Sequence, residues 1–184
     1  MLSGIGDKNI LDKYNIPLIY DNEEVEKNLQ DHPAITVIKT VKEPKSTIDY
    51  MDFNPIYLMK SIQWILTNDN EFSNFLSEIG GFLHSETAKR LKEDAPDLQL
   101  LPVPGIFSGK DTYKGKEGFS LGIVLLNEKS RGNVTINSNK INDPPLIQPN
   151  IFENLEDLER LEDGLKFILK VDESKKLLNM IYYH

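Results

Sequence analysis

Phe119-Ser120-Leu121-Gly122-Ile123-Val124-Leu125-Leu126 is apolar on both faces of an extended chain, the composition of an inner strand buried on each side. Glu128-Lys129-Ser130-Arg131-Gly132 breaks that run with polar residues and a glycine free to take positive φ. Asn133-Val134-Thr135-Ile136-Asn137 then alternates polar and apolar, which predicts a half-buried strand paired back on the first. In Asp143-Pro144-Pro145-Leu146-Ile147-Gln148-Pro149-Asn150 three prolines lack the amide hydrogen, so this stretch is expected to run as an extended connector outside any ladder. A helix follows. Asn154 is placed to cap it, with Asp157 close to a capping-box position. Leu155, Leu158, Leu161, Leu165 and Ile168 form its expected buried stripe, with acids at its start and Lys166 and Lys170 toward its end, as the helix dipole favours.

Upstream, Ser3-Gly4-Ile5-Gly6-Asp7 leads into a short helix over 8–14 with Asp7 as its cap. The two glycines let backbone come close either to another strand or to a ligand phosphate. Ile16-Pro17-Leu18-Ile19-Tyr20 reads as an edge strand closed by the acidic loop 21–26. Asn28-Leu29-Gln30-Asp31-His32-Pro33 puts amide, carboxylate and imidazole at the entry to a strand over 34–41. Such a cluster either orients a ligand or caps turns around a structural histidine. A helix over 54–67 carries Ile56, Met59, Ile62 and Leu66 at helical spacing, with Trp64 expected in the core. Residues 77–85 read as a strand bent at Gly80-Gly81, residues 87–93 as a charged helix, and residues 97–104 as a strand that Pro102 and Pro104 confine to an edge or a strand end. Residues 105–118 are loop-like, and residues 172–178 extend or restart the last helix.

The 184 residues carry 39% hydrophobic and 27% charged side chains, a globular rather than disordered composition. A formal charge of −8 argues against general nucleic-acid binding, which needs clustered Lys and Arg. There is no cysteine, which excludes disulfides, thiolate catalysis and sulfur-ligated zinc. No window reaches the length of a membrane span, and Met1-Leu2-Ser3-Gly4 shows no secretory signal, while the compartment stays open. The Asn133-Val134-Thr135 glycosylation pattern sits inside an expected strand.

No self-sufficient catalytic or metal site is legible. His32, His84 and His184 lack metal-ligand spacing, and Glu78 and His84 lie too far apart along a strand to act as an acid-base pair. Dinucleotide and P-loop fingerprints and the nucleophile elbow are all absent.

The order of short motifs is more specific than any one of them. Ser3-Gly4-Ile5-Gly6, Asn28-Leu29-Gln30-Asp31-His32, Gly81-Phe82, Pro96-Asp97-Leu98-Gln99, Ser130-Arg131-Gly132 and Pro145-Leu146-Ile147-Gln148-Pro149-Asn150, followed by a helix containing Gly164, resemble the glucose-methanol-choline (GMC) flavoprotein oxidoreductases over nearly the whole chain. The string is most similar to the animal, glucose-dehydrogenase-like members, whose full-length proteins are often secreted.

The resemblance implies an α+β fold, an antiparallel β-sheet with helices packed on one side, which forms the substrate-binding domain over an FAD. It implies residues 1–33 as a segment packing with an FAD-binding domain, and residues 34–184 as the substrate-binding domain, truncated at its C-terminal end. It also implies hydride transfer from a CH–OH group of an alcohol or sugar to the flavin while a histidine takes the hydroxyl proton. The family's N-terminal FAD motif and C-terminal catalytic histidine are missing, so no catalytic residue is expected in this chain and FAD is not expected to bind it alone. By the same resemblance Ser3, Gly4, Asn28, Asp31 and His32 would lie nearest the cofactor. Two departures stand out: Glu26 occupies a common glycine position, placing a carboxylate where backbone should approach closely, and Asp7 stands where proline is frequent. Loss of that glycine and of both catalytic ends also fits a non-catalytic remnant serving as a binding or interaction module.

Overall fold

The computed structural model describes residues 1–40, 55–67, 77, 79–106 and 118–172. Most of the expected loop over 105–118, Glu78 and the helix extension beyond Asp172 lie outside those residues, and Gly118 opens a strand instead. The chain divides into two compact units, one built from residues 1–33 and 127–158 and the other from 34–126 and 159–184.

In the first unit, β1 (Ile5–Gly6) pairs in parallel with β2 (Tyr20–Asp21), so the strand expected over 16–20 forms only at its end. Between them runs α1 (Lys8–Lys13), capped by Asp7 Oδ1, which accepts from the Asn9 amide at 2.8 Å. Asp7 holds φ at −60°, a value that proline also adopts, so the departure from proline keeps the backbone and adds a cap. β3 (Lys27–Leu29), β8 (Gly132–Thr135) and β9 (Leu146–Gln148) form a three-stranded antiparallel sheet in the order β3-β8-β9.

That sheet corrects two expectations. β8 does not fold back on the Phe119 strand but pairs with β3 and β9. The proline stretch does enter a ladder, because Pro144, Pro145 and Pro149 flank β9, an edge strand whose own three residues all carry amides. Gly132 is needed for close approach rather than for positive φ, since a Cβ there would sit 2.2 Å from the Gln148 carbonyl oxygen.

The second unit is organised on β7 (Gly118–Leu125), the strand that the opening run of apolar residues predicts. It lies between β4 (Ala34–Thr40) and β6 (Leu98–Val103), with β5 (Gly81–Leu83) outside β6, and every pairing is antiparallel. β6 is inner along Leu98–Leu100, and beyond that it has no second strand partner among the described residues, Ser77 Oγ donating to the Pro102 carbonyl there at 2.8 Å. Pro102 sits in that second half, so its missing amide costs no ladder bond on the β5 side.

Two helices cover one face of this sheet. α3 (Glu86–Leu91) is capped by Ser85, whose hydroxyl accepts from the Ala88 amide at 2.9 Å. α4 (Leu155–Asp172) lies close enough that a Cβ on Gly164 would stand 2.5 Å from the Ile123 side chain. Its buried stripe is Asp157, Arg160, Leu161, Gly164 and Ile168, whereas Leu155 is 68% and Leu158 40% exposed. The helix is therefore rotated from the all-leucine stripe, because two charged side chains that find full partners occupy the inward positions. α2 (Pro55–Thr67) forms as expected, but Trp64 is 41% and Leu66 78% exposed, so the tryptophan is not in the core. None of the helices among the described residues is long and apolar enough to cross a membrane.

Candidate functional site: a left-handed turn and an open sheet face

The five residues expected nearest a cofactor all belong to the first unit, and the structure separates them into different environments. Asn28 lines an open cleft of about 440 Å³ together with Asp7, Glu26, Arg131 and Thr135. Asp31 lines a narrow crevice instead, beside Glu128, Ser130 and Asp157. Ser3 and His32 are exposed and Gly4 is buried, and none of the three lines either space.

The local backbone explains the motif around Asn28. Glu26 and Asn28 sit at φ +72° and +64°, the left-handed region, and β3 is irregular between Lys27 and Leu29. Asparagine tolerates that conformation, whereas glutamate carries a Cβ penalty of about 1–2 kcal/mol. A glycine suits position 26 for this reason, and the glutamate adds a second cost: its Oε2 is buried without a hydrogen-bond partner, while Oε1 accepts from the Met1 nitrogen at 3.0 Å. Glu26→Gly should therefore raise stability by about 1 kcal/mol, the strain relief exceeding the extra freedom of a glycine in the unfolded chain. Chemical denaturation of the pair measures it, and a destabilised variant would show that the carboxylate supports the turn.

The turn before β8 is held by a carboxylate that the sequence places on a helix. Asp157 Oδ1 accepts from the Lys129 amide at 2.8 Å, and Oδ2 from the Ser130 amide at 2.8 Å and the Ser130 hydroxyl at 2.6 Å. The Asn154 amide donates to Ser130 Oγ at 3.1 Å, and Asn154 Oδ1 accepts from the Glu156 amide at 3.0 Å. The expected capping box is thus relayed: Asn154 caps, but Asp157 reaches the Ser130 turn rather than the Asn154 amide, which Ser130 takes instead. Arg131 Nη1 closes the turn by donating to the Glu128 and Ser130 carbonyls at 2.6 and 2.9 Å.

At the glycines of the Ser3 to Gly6 backbone the chain itself fills the space a Cβ would take. A Cβ on Gly4 would stand 2.4 Å from the Pro17 carbonyl oxygen, and one on Gly6 would stand 2.8 Å from the Met1 side chain. Gly4 is thus packed against the segment that leads into β2, and Gly6 against the Met1 side chain.

In the second unit the two faces of the sheet differ. Strand alternation and register place Ile35, Val37, Leu98, Leu100, Leu121, Ile123 and Leu125 on the face against α4. The opposite face carries Thr36, Ile38, Gln99, Leu101, Val103, Ser120 and Val124; Ser120 is buried, Thr36 is exposed and the rest are half-buried, with Phe82 63% exposed beside Gln99. Gly122 leaves its centre without a side chain. Such an apolar wall with a few polar groups is the lining a small organic molecule needs. Only its register reveals it, since no motif marks these positions.

Beneath the covered face lies a buried ionic cluster. Arg160 is 1% exposed and its Nη1 donates to Asp97 Oδ2 at 2.8 Å and to Glu93 Oε2 at 2.7 Å, while Nη2 donates to Glu93 Oε1 at 2.6 Å. Asp97 also accepts from the Ser85 amide and hydroxyl at 2.8 and 2.7 Å. Burial pushes its carboxyl up, but the Ser85 hydrogen bonds and the Arg160 guanidinium outweigh this and hold it below its ordinary 3.8. Among the described residues no three His, Asp or Glu side chains gather as a metal site.

This α+β architecture, with antiparallel sheets and helices on one side, is found in formate oxidase, which superposes on 98% of the chain with a TM-score of 0.82 at 20% identity, the chain spanning 36% of that protein. No protein-family model matches the sequence. The alcohol dehydrogenase [acceptor] of Pseudomonas putida is 32% identical over 168 residues, covering 90% of this chain and 30% of the relative. A glucose-methanol-choline family oxidoreductase, mfmG of Annulohypoxylon moriforme, is 29% identical over 194 residues, covering 96% of this chain and 32% of the relative. Over nearly all of its length the chain is similar to these two oxidoreductases, the second of which is named for the glucose-methanol-choline (GMC) family. It spans about a third of the length of the curated relatives it matches.

Proposed function

We propose that the chain is the substrate-binding part of an FAD-dependent oxidoreductase acting on CH–OH groups of alcohols or sugars. The observation that carries this reading is the four-stranded sheet with one face against α4 and the other mostly apolar, half-buried and bearing Thr36 and Gln99, in a chain similar to a GMC oxidoreductase. Thr36 and Gln99 are the polar groups on that face able to orient a substrate hydroxyl, and Phe82 and Val124 supply apolar wall. Formate oxidase has been studied for its FAD modification, and an alcohol dehydrogenase is among the relatives, which supports flavin chemistry on a small oxygenated substrate.

Residues 1–33 then meet an FAD-binding domain, with Ser3, Gly4, Asn28, Asp31 and His32 the side nearest the cofactor. The chain by itself does not hold FAD, because Gly4 and Gly6 are packed by its own atoms and Glu26 brings a carboxylate to the turn. Incubating the purified chain with FAD, desalting it and recording its absorbance should leave no flavin band; stoichiometric yellow protein would refute that statement. Within the family, the motif order favours animal glucose-dehydrogenase-like proteins, whereas the relatives described above come from a bacterium and a fungus.

The costly glutamate at position 26 favours one second reading, a non-catalytic remnant acting as a binding or interaction module. Sequencing the transcript on both sides separates the two. A Gly-x-Gly-x-x-Gly segment upstream and a histidine-bearing segment downstream support the enzyme, and in-frame stops support the remnant.

A further inference from the structure

At the β5 edge of the second unit's sheet, beside α3 and α4, lies a cleft of about 310 Å³ that shares only Phe82 with the oxidoreductase reading. Its floor is Leu98, 2% exposed, and Phe167 of α4 stands in its wall, 38% exposed despite its size. His84, half-buried at the end of β5, lines the cleft, and its imidazole has no hydrogen bond or ion pair among the described residues. The charged lining is Glu86, Lys89 and Asp163, so carboxylates outnumber ammonium groups.

Those charges are arranged unevenly. Glu86 is neutralised by Lys89 at 2.7 Å across an exposed helix turn. Asp163 Oδ2 accepts from the Thr87 amide at 3.1 Å, and Lys166 approaches only the other oxygen, Oδ1, at 3.7 Å. A carboxylate ligand would meet an acidic wall. An amine would meet a carboxylate, an imidazole ring nitrogen able to accept a hydrogen bond, and an aromatic ring whose face attracts cations. The volume lies at the small end of ligand sites and suits a single ring.

We propose that this cleft binds a small organic amine with a ring-sized apolar body, the ring against Phe167 and Leu98 and the ammonium toward Asp163 and His84. The cleft shares Phe82 with the face that carries Gln99, but Phe167, Asp163 and His84, on which the proposal turns, have no part in the flavin reading.

The test titrates benzylamine into the protein at a pH above the imidazole range while NMR follows the ring protons of His84. Benzyl alcohol and benzoate serve as neutral and anionic ligands of the same shape. Benzylamine should move the His84 signals saturably, benzyl alcohol should bind about five-fold more weakly, and benzoate weakest of all. Phe167→Ala, at a partly exposed position, should keep the fold and weaken benzylamine by about five-fold or more. Asp163→Asn should abolish the preference for the amine over the alcohol. Equal affinity for the three ligands, unmoved His84 signals, or unchanged benzylamine binding in a folded Phe167→Ala protein would each overturn the proposal.

Discussion

Replacing Arg160 with methionine should cost the fold about 3–5 kcal/mol, the largest loss expected from any single change. The guanidinium is enclosed, and Asp97 opposite it is 0% exposed, so the variant would leave a carboxylate without its counter-charge in a dry environment. Glu93 is 34% exposed and can turn to solvent, so the cost arises mainly at Asp97. Adding Asp97→Asn to the Arg160→Met protein should recover part of the loss, since an amide keeps the Ser85 contacts without a buried charge. Urea denaturation of the single and double variants checks this; a loss below about 1 kcal/mol in the single variant would mean that the cluster is solvated.

The same cluster predicts a pH dependence. The Asp97 carboxyl is held below 3.8 in the folded chain. A lowered folded value means that its stabilising contribution is fully present above the unfolded value and is lost as pH falls through the folded one. Stability should therefore decline as pH drops below 3.8, and the decline should flatten in the Arg160→Met, Asp97→Asn protein.

Asp157→Ala should be the second most damaging change, at about 3 kcal/mol. It removes the acceptor for the Lys129 and Ser130 amides and for the Ser130 hydroxyl, and the last two are buried. Asp157→Asn keeps one acceptor oxygen and should cost about half as much. Thermal unfolding distinguishes them, and amide exchange should rise first at Lys129, Ser130 and the β8 residues that follow. Equal effects of the two substitutions would mean that packing, rather than hydrogen bonding, holds this turn.

What could be read from the sequence divides by the range of the interaction that decides it. β7, α3 and α4 follow from local pattern, because an unbroken apolar run and a helical period each need only their own residues. Strand pairing did not: alternation shows that Asn133 to Thr135 form a strand, but which neighbour β8 chooses depends on a turn held by Asp157, far away in sequence. The proline stretch misled for a related reason, since only the pairing register shows that three residues between prolines suffice for an edge strand. On α4 the leucines at 155 and 158 fit an apolar stripe, yet Asp157 and Arg160 are the inward residues. A pair of opposite charges three apart inside a leucine-rich helix was the available signal. At the candidate site, the family glycine marked position 26 without its reason, which is the left-handed φ that Glu26 adopts at a cost.

The division of the first unit into residues 1–33 and 127–158 also sets a timetable for biosynthesis. β3 leaves the ribosome about a hundred residues before the strand it pairs with, a long loop to close. Until Asn133 emerges, Lys27 to Leu29 have no ladder partner in β8, whereas β4 can zip onto β7 as soon as Leu125 is made. A nascent chain arrested on a linker long enough to bring residue 126 out of the exit tunnel, but not residue 132, should thus protect the β4 amides while leaving those of β3 open to exchange. The exposed early segment is then the part of the newborn chain that chaperones would meet first.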